Sequence, residues 1–317
     1  MWGLLPTAVV FWAALTGLGA LGVALALPWA LRWGARLAPT VRVRWVIGVL
    51  SAPWLMGLAA TAVVYGHCIG HNLVGELDDC LTATGRVSSW FCVNRPAPVS
   101  ALGWALAGAL VALLAQRVGA VWAGLRRARR RLRWLGAVAD ATGRPGVFSV
   151  PGAVAFAMAW PEPRVFVGEA VLARLEGPQL QALLAHERAH LARGDLGLRA
   201  FARGLAAVHL PGTGAALLGS LALACEQRCD ADASLAVADP LVVAESLVDV
   251  ARLQADPGGD ALEARVRALC DAEWSSARAA TVLGGFGLAS GAVMVLAHVH
   301  AIHQAADRVA VWLSARG

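Results

Sequence analysis

Four long apolar runs set the first limit on the fold. They cover residues 4–31, 45–65, 98–115 and 279–302, and each has the length of a membrane-crossing helix, the third lying near the short limit. Inside hydrocarbon the backbone finds no water, so such a run closes its hydrogen bonds on itself as a helix. The chain is 58% hydrophobic and 15% charged, with a mean hydropathy of +0.61. That balance excludes an ordinary soluble domain and makes the lipid bilayer a partner of the chain. The first run has no basic leader and is too long for a cleaved signal peptide, so it reads as a signal anchor.

Charge then orients the spans. All 27 basic residues are Arg. Residues 134–280 hold 12 Arg against 17 Asp plus Glu, a balance of −5, and the rest of the chain holds 15 Arg against 4 acids, or +11. The excess flanks the spans, as Arg32, Arg36, Arg42 and Arg44 and again between Arg126 and Arg133. The positive-inside rule puts the loops 32–44 and 117–133 on the cytoplasmic face. The N-terminus, the loop 66–97 and the tail 303–317 are then outside. The expected division is a membrane domain over 1–133, a cytoplasmic domain over 134–278 and a fourth span over 279–302. An Arg run beside a span is an anionic-lipid anchor rather than a nucleic-acid surface, so no direct nucleic-acid binding is expected.

The chemistry lies in Ala185-His186-Glu187-Arg188-Ala189-His190, an H-E-x-x-H motif. Gly177-Pro178 suits a helix start, and Gly194 suits the left-handed residue that ends one. Four residues is just over one turn, so His186 and His190 share a face. Two imidazoles so placed are ligands for one Zn²⁺, with Glu187 in reach of a metal-bound water as general base. Glu226 is the candidate third ligand, and Asp230, four residues on, is a candidate partner for the spare N–H of a ligand His. Asp195, five residues after His190, is another. Ordinary capping or salt bridging by Asp195 and Asp230 stays open, as does thiolate ligation by Cys225 and Cys229.

Short strands are expected at Val147–Val150, Val154–Trp160 and Arg164–Val167, broken at Pro151-Gly152 and Pro161-Glu162-Pro163. An open edge of that small sheet would suit an extended peptide substrate adding as a strand. Helices are expected at about 168–176, 178–193, 195–209, 215–237, 240–255 and 260–278. Gly204 to Ala224 is apolar but interrupted by Pro211, Gly212 and Gly214. Each half is too short to span, so a buried or membrane-skimming turn is expected, with a re-entrant hairpin as the alternative. The whole reads as a mainly α membrane protein with four transmembrane helices and a cytoplasmic α+β metallopeptidase domain containing a small β-sheet.

Cytoplasmic H-E-R-A-H with Asp195 five residues on, followed by E-x-x-C-D at 226–230 between a third and a fourth span, resembles the BlaR/MecR-type membrane zinc metallopeptidases. These are the β-lactam sensor-transducers and their relatives. The segment ending Pro163-Arg164-Val165-Phe166-Val167 looks like the strand region before their zinc helix. The resemblance covers roughly 40–317 and is strongest over 150–235. It implies a zincin-like (gluzincin) site with His186, His190 and Glu226 on zinc and Glu187 as base. It further implies a multi-pass protein of the bacterial inner (cytoplasmic) membrane in signal-responsive, regulated proteolysis, often with a transcriptional repressor as substrate. Only a short tail follows Ile302, where the β-lactam sensors carry a penicillin-binding domain, so β-lactam sensing by that route is not expected. The membrane quality-control proteases of the heat-shock and prenyl-processing type share H-E-x-x-H and a downstream E-x-x-x-D. They form the alternative, and a non-catalytic receptor with a structural metal site forms a third.

Two further sets complete the expectations. A tetrahedral oxyanion needs a donor besides zinc; the lone Tyr65 sits at the outer end of a span, which leaves His209, Arg199 or Arg203. On the outer face, His67, Cys68, His71, His298, His300 and His303 form a candidate metal- or redox-sensing site. Cys68, Cys80 and Cys92 share that oxidising side, with one disulfide and one leftover thiol expected.

Overall fold

Three long helices carry the first three apolar runs. In the computed structural model, which describes residues 4–74, 101–137, 139–159, 162–254 and 259–270, these are α1 (Leu4–Ala35), α2 (Pro39–Val74) and α3 (Ala101–Ala137). Stretches long and apolar enough to cross a bilayer are Thr7–Ala35, Pro39–Val63 and Trp104–Arg130. The fourth expected span, the tail with His298, His300 and His303, and Cys80 and Cys92 lie outside the described residues. His67, Cys68 and His71 fall on the last turns of α2, and their side chains are likewise outside them.

α1 and α2 form a tight antiparallel pair. A Cβ on Gly57 would fall on Thr16 Oγ1 and 3.0 Å from the Trp12 carbonyl oxygen, and one on Gly19 would stand 2.8 Å from Met56 Cε. Gly17 and Gly22 of α1 face open space. Trp29, Trp33 and Trp45 cluster where the pair turns, and Trp45 Nε1 donates to the Ala30 carbonyl (3.1 Å). Two expectations change here. α3 runs without a break through the Arg run, because Arg is a good helix former and nothing between Ala115 and Arg133 stops a helix. Arg42 is not a solvated loop residue. It is buried, and its guanidinium donates to the carbonyls of Gly34 (2.8 Å), Ala35 (2.7 Å) and Leu37 (3.3 Å). It thus takes up carbonyls that the end of α1 leaves free.

The remainder wraps a small sheet in order β1-β2-β4-β3, with β1 (Asp140–Ala141), β2 (Val147–Val150), β3 (Ala155–Met158) and β4 (Arg164–Gly168). β2 and β4 are parallel, and both end strands pair antiparallel. β3 is shorter than the expected Val154–Trp160. Side chains alternate along β4. Val165 and Val167 join Val147, Leu180, Leu183 and Leu184 in one core, while Phe166 stacks on Phe156 at 5.0 Å on the other face. Gly168 closes the sheet, since a Cβ there would collide with the Gly152 carbonyl oxygen and stand 2.8 Å from Val154 N.

Helices α4 (Glu169–Arg174), α5 (Gly177–Arg193), α6 (Asp195–Leu205), α7 (Pro211–Val237), α8 (Pro240–Leu253) and α9 (Gly259–Cys270) follow, with a 3₁₀ turn at Ala206–Val208 between α6 and α7. Gly194 ends α5 in the left-handed region (φ 67°), and Asp239 caps α8 by accepting from Leu241 N (2.8 Å). The expected helix 195–209 ends early, and its successor starts at Pro211 rather than 215. Proline's fixed φ and missing N–H suit the first turn, so Pro211 starts the helix where the sequence reading saw a break. Half of α7 packs against the membrane pair: Leu217, Leu221, Ala224 and Cys225 share a core with Val43, Val46 and Leu50 of α2.

Candidate metal centre

α5 and α7 together build the site. α5 turns Leu180, Leu183 and Leu184 onto the sheet and buries His186 and Glu187 against its neighbours. His186 and His190 lie one turn apart with ring centroids 4.8 Å apart and planes at 86°. α7 supplies Glu226 from the opposite side: His186 Nε2 is 3.3 Å from Glu226 Oε2, and His190 Nε2 is 3.6 Å from Glu226 Oε1.

These separations are close to those of ligands around one metal ion. Ligands at ~2.0–2.1 Å from a tetrahedral Zn²⁺ stand roughly 3.3–3.4 Å from one another. The donor set of two imidazole nitrogens and one carboxylate is that of a catalytic zinc with an open position. His186, His190 and Glu226 each offer a ligand atom within 4.8 Å of the others. The residues present therefore fit the ion.

Both remaining imidazole nitrogens are engaged. His190 Nδ1 lies 2.8 Å from Asp195 Oδ2, and His186 Nδ1 lies 2.9 Å from Asp230 Oδ1, close but not aligned for a linear hydrogen bond. Each carboxylate is itself fixed. Arg265 of α9 grips Asp230 with two bonds (2.7 and 2.8 Å), and Arg228 pairs with Asp195. Both acids are about 1% exposed, so these pairs orient the rings in a dry environment. Both acids are salt-bridged, as the ordinary reading also has it, but buried and beside the two imidazoles.

Electrostatics follow from this burial. Burial pushes the Glu187 carboxyl above its ordinary value, and the neighbouring His186 and His190 pull part of that back. Burial also works against charge on Glu226, but hydrogen bonds from His186 and His190 and the charge of Arg265 hold it well below the usual carboxylate range. Burial would lower His190, yet hydrogen bonds with Cys229 and Glu226 outweigh it and push it up to about 10. The site is thus a network of buried, paired charges.

Cys229 does not join the Nε2 set. Its Sγ lies 3.3 Å from His190 Nδ1 and 3.4 Å from Asp195 Oδ2, on the outer side of the ring. His190, Asp195 and Cys229 form a second compact donor group, but one whose Asp195 is already held by Arg228. Cys225 and Cys229 are buried free thiols, and Cys270 is an exposed one.

Two expectations about donors change. His209 is buried away from the metal ligands. Its Nε2 donates to the Leu50 carbonyl (3.0 Å), and it precedes α7, in which Glu226 lies about 22 Å along the axis from Pro211. The structure places it in the α2 contact, as a helix-end residue before Pro211, and not among the residues that converge on Glu226. Arg203 is exposed. Arg199 is beside the site, donating to Glu226 Oε1 (2.5 Å), and Arg265 approaches Glu226 Oε2 at 3.4 Å. Sequence reasoning missed Arg265, which has no spacing relation to either ligand helix.

Residues 126–268 match the model of Peptidase family M48. No curated protein and no solved structure matches this chain. The matched range begins in α3, takes in the whole sheet and the residues converging on the site, and ends in α9. It supports a metallopeptidase domain of the M48 type joined to apolar helices fit to cross a membrane. It does not single out the β-lactam sensor-transducer type.

Proposed function

We propose that the chain is an integral-membrane zinc metallopeptidase that hydrolyses peptide bonds in a protein substrate close to the membrane surface. The observation that carries this reading is the convergence of His186, His190 and Glu226, whose candidate ligand atoms all lie within 4.8 Å of one another, with Glu187 on the same helix as the two His. Zinc bound there supplies a Lewis acid for the scissile carbonyl and lowers the pKa of water toward neutrality.

The chain's own residues do the rest. Glu187, raised by burial, takes the water proton and delivers it to the leaving amine. Asp230 and Asp195 hold the two rings in the ligating orientation. β3 ends the sheet and packs beside α5, so its outer edge offers backbone groups to an extended substrate strand. The Arg-rich ends of the spans support a domain on the cytoplasmic face of a bacterial inner membrane, with the N-terminus outside.

Signal-responsive cleavage of a transcriptional repressor is the finer reading, resting on the E-x-x-C-D resemblance. General quality control of membrane proteins is a second reading that the M48 match supports equally. New protein N-termini in cells expressing wild type or Glu187→Gln separate them. One or a few cuts, including a repressor, support regulated proteolysis; many cuts in unrelated misfolded membrane proteins support quality control. No difference between the two strains under inducing and heat-stress conditions overturns both.

A further inference from the structure

The contacts of the α6–α7 turn set its depth, and we propose that residues 196–224 form a re-entrant helical hairpin. Its turn lies near the bilayer midplane, and Leu196, Phe201 and Leu210 face lipid acyl chains. The inference rests on the reading of α2 and α3 as membrane spans and is independent of the proposed chemistry.

Two rulers agree. Arg44 is exposed and stands beside the Trp29–Trp33–Trp45 cluster, the kind of aromatic belt that marks a membrane interface. Trp54 is ten residues further along α2, about 15 Å deeper at helical rise. A hydrocarbon core is ~30 Å thick, so that depth is the midplane. Trp54 Nε1 donates to the Leu205 carbonyl (2.9 Å), and the Leu50 carbonyl accepts from His209. On α3, Arg117 is nine residues before Arg126, about 13 Å from the Arg run. It donates to the carbonyls of Ala207 (3.2 Å) and His209 (3.3 Å). Side chains from the interior of two spans therefore hold the same turn.

Its hydrogen bonding is what hydrocarbon demands. Where a helix breaks inside a membrane, the freed carbonyls need protein donors. Leu205 has Trp54, Ala206 has the His209 N–H (3.1 Å), Ala207 and His209 have Arg117, and Leu210 has the Gly214 N–H (2.9 Å). A turn in water needs none of the side-chain donors. No Asp, Glu, Lys or Arg occurs from Gly204 to Cys225.

The outer surface is apolar apart from Arg203. Phe201 is 59% exposed and Leu210 51%. The lipid that covers α1, α2 and α3 is continuous with this face. Arg203 fits as well, because α6 descends from the site and its side chains lean back toward its N-terminus. The guanidinium therefore points toward the interface rather than the midplane. Glu226 then lies just beyond the inserted half of α7, and Gln227 meets Arg42 at 3.0 Å, which puts the metal centre at the membrane surface.

Footprinting of the wild-type chain in lipid nanodiscs tests this. A diazirine hydrocarbon dissolved in the bilayer labels lipid-facing residues, and hydroxyl radicals label water-facing ones. Phe201 and Leu210 are expected to take the carbene at the level of Leu18 and Leu25. They should oxidise at least about tenfold more slowly than Leu235 and Leu241, as groups sealed from water. Oxidation at the Leu235 level without carbene labelling overturns the proposal. Strong labelling by both reagents, the mark of a turn skimming the surface, overturns it too.

Discussion

Replacing Asp230 by Asn perturbs the site without touching a metal ligand or changing volume. Asp230 is about 1% exposed, accepts two hydrogen bonds from Arg265 (2.7 and 2.8 Å) and stands 2.9 Å from His186 Nδ1. An amide turns one of its two oxygens into a donor, and its new N–H₂ faces either the guanidinium or the ring N–H. His186 loses the partner that fixes its tautomer. Such a loss lowers zinc affinity about 10- to 100-fold, or ~1.4–2.8 kcal/mol. Arg265 keeps Glu226 but loses its better partner, and breaking a buried pair of this kind costs about 3 kcal/mol of stability. Zinc affinity is read by competition with a chromophoric chelator on detergent-purified full chain, with Asp232→Asn as control. Asp232 is on the same helix but pairs with Arg193, and both are about a third exposed, so its loss should leave zinc affinity within about twofold. Adding Arg265→Met to Asp230→Asn should restore part of the lost stability, because no buried charge is then left alone. Equal zinc affinity in Asp230→Asn and Asp232→Asn would refute the reasoning.

Glu187→Gln should retain zinc and lose about 10²- to 10⁴-fold in peptide hydrolysis, measured on any substrate the wild type cuts. His209→Ala should leave the turnover rate within about twofold and lower thermal stability by about 1–2 kcal/mol, because the residue bonds Leu50 rather than substrate; a thousandfold loss of turnover at unchanged stability would contradict this placement. Arg42→Met removes four hydrogen bonds that tie α1 to α2 and α7, and melting in detergent should report a loss of about 2–3 kcal/mol. Gly168→Ala should abolish accumulation of folded protein, since the new Cβ meets backbone on the 152–154 turn.

The parts legible in the sequence are those set by local spacing. Helical period alone puts His186, Glu187 and His190 on one side of α5 and Glu226 with Asp230 on one side of α7, and Gly194 and Asp239 mark helix ends through their own backbone and side-chain chemistry. What escaped was long-range. Arg265 reaches Asp230 across 35 residues and Arg42 reaches Gln227 across 185, and no pattern in either neighbourhood announces the partner. Arg42 looked like a loop charge because its burial depends on α7, which comes much later in the chain. Pro211 was read as a break because its role depends on whether a helix precedes or follows it. Gly57 carries the α1–α2 approach more tightly than Gly17, Gly19 or Gly22 of α1, because only the facing helix decides which glycine is crossed.

The most direct measurement is zinc content together with peptide-bond cleavage for the detergent-purified chain, wild type beside Glu187→Gln and His186→Ala. The expected result is one zinc in wild type and Glu187→Gln, little or none in His186→Ala, and cleavage by wild type alone. Wild type without zinc, or cleavage that persists in Glu187→Gln, would contradict the assignment of this centre as a zinc peptidase site.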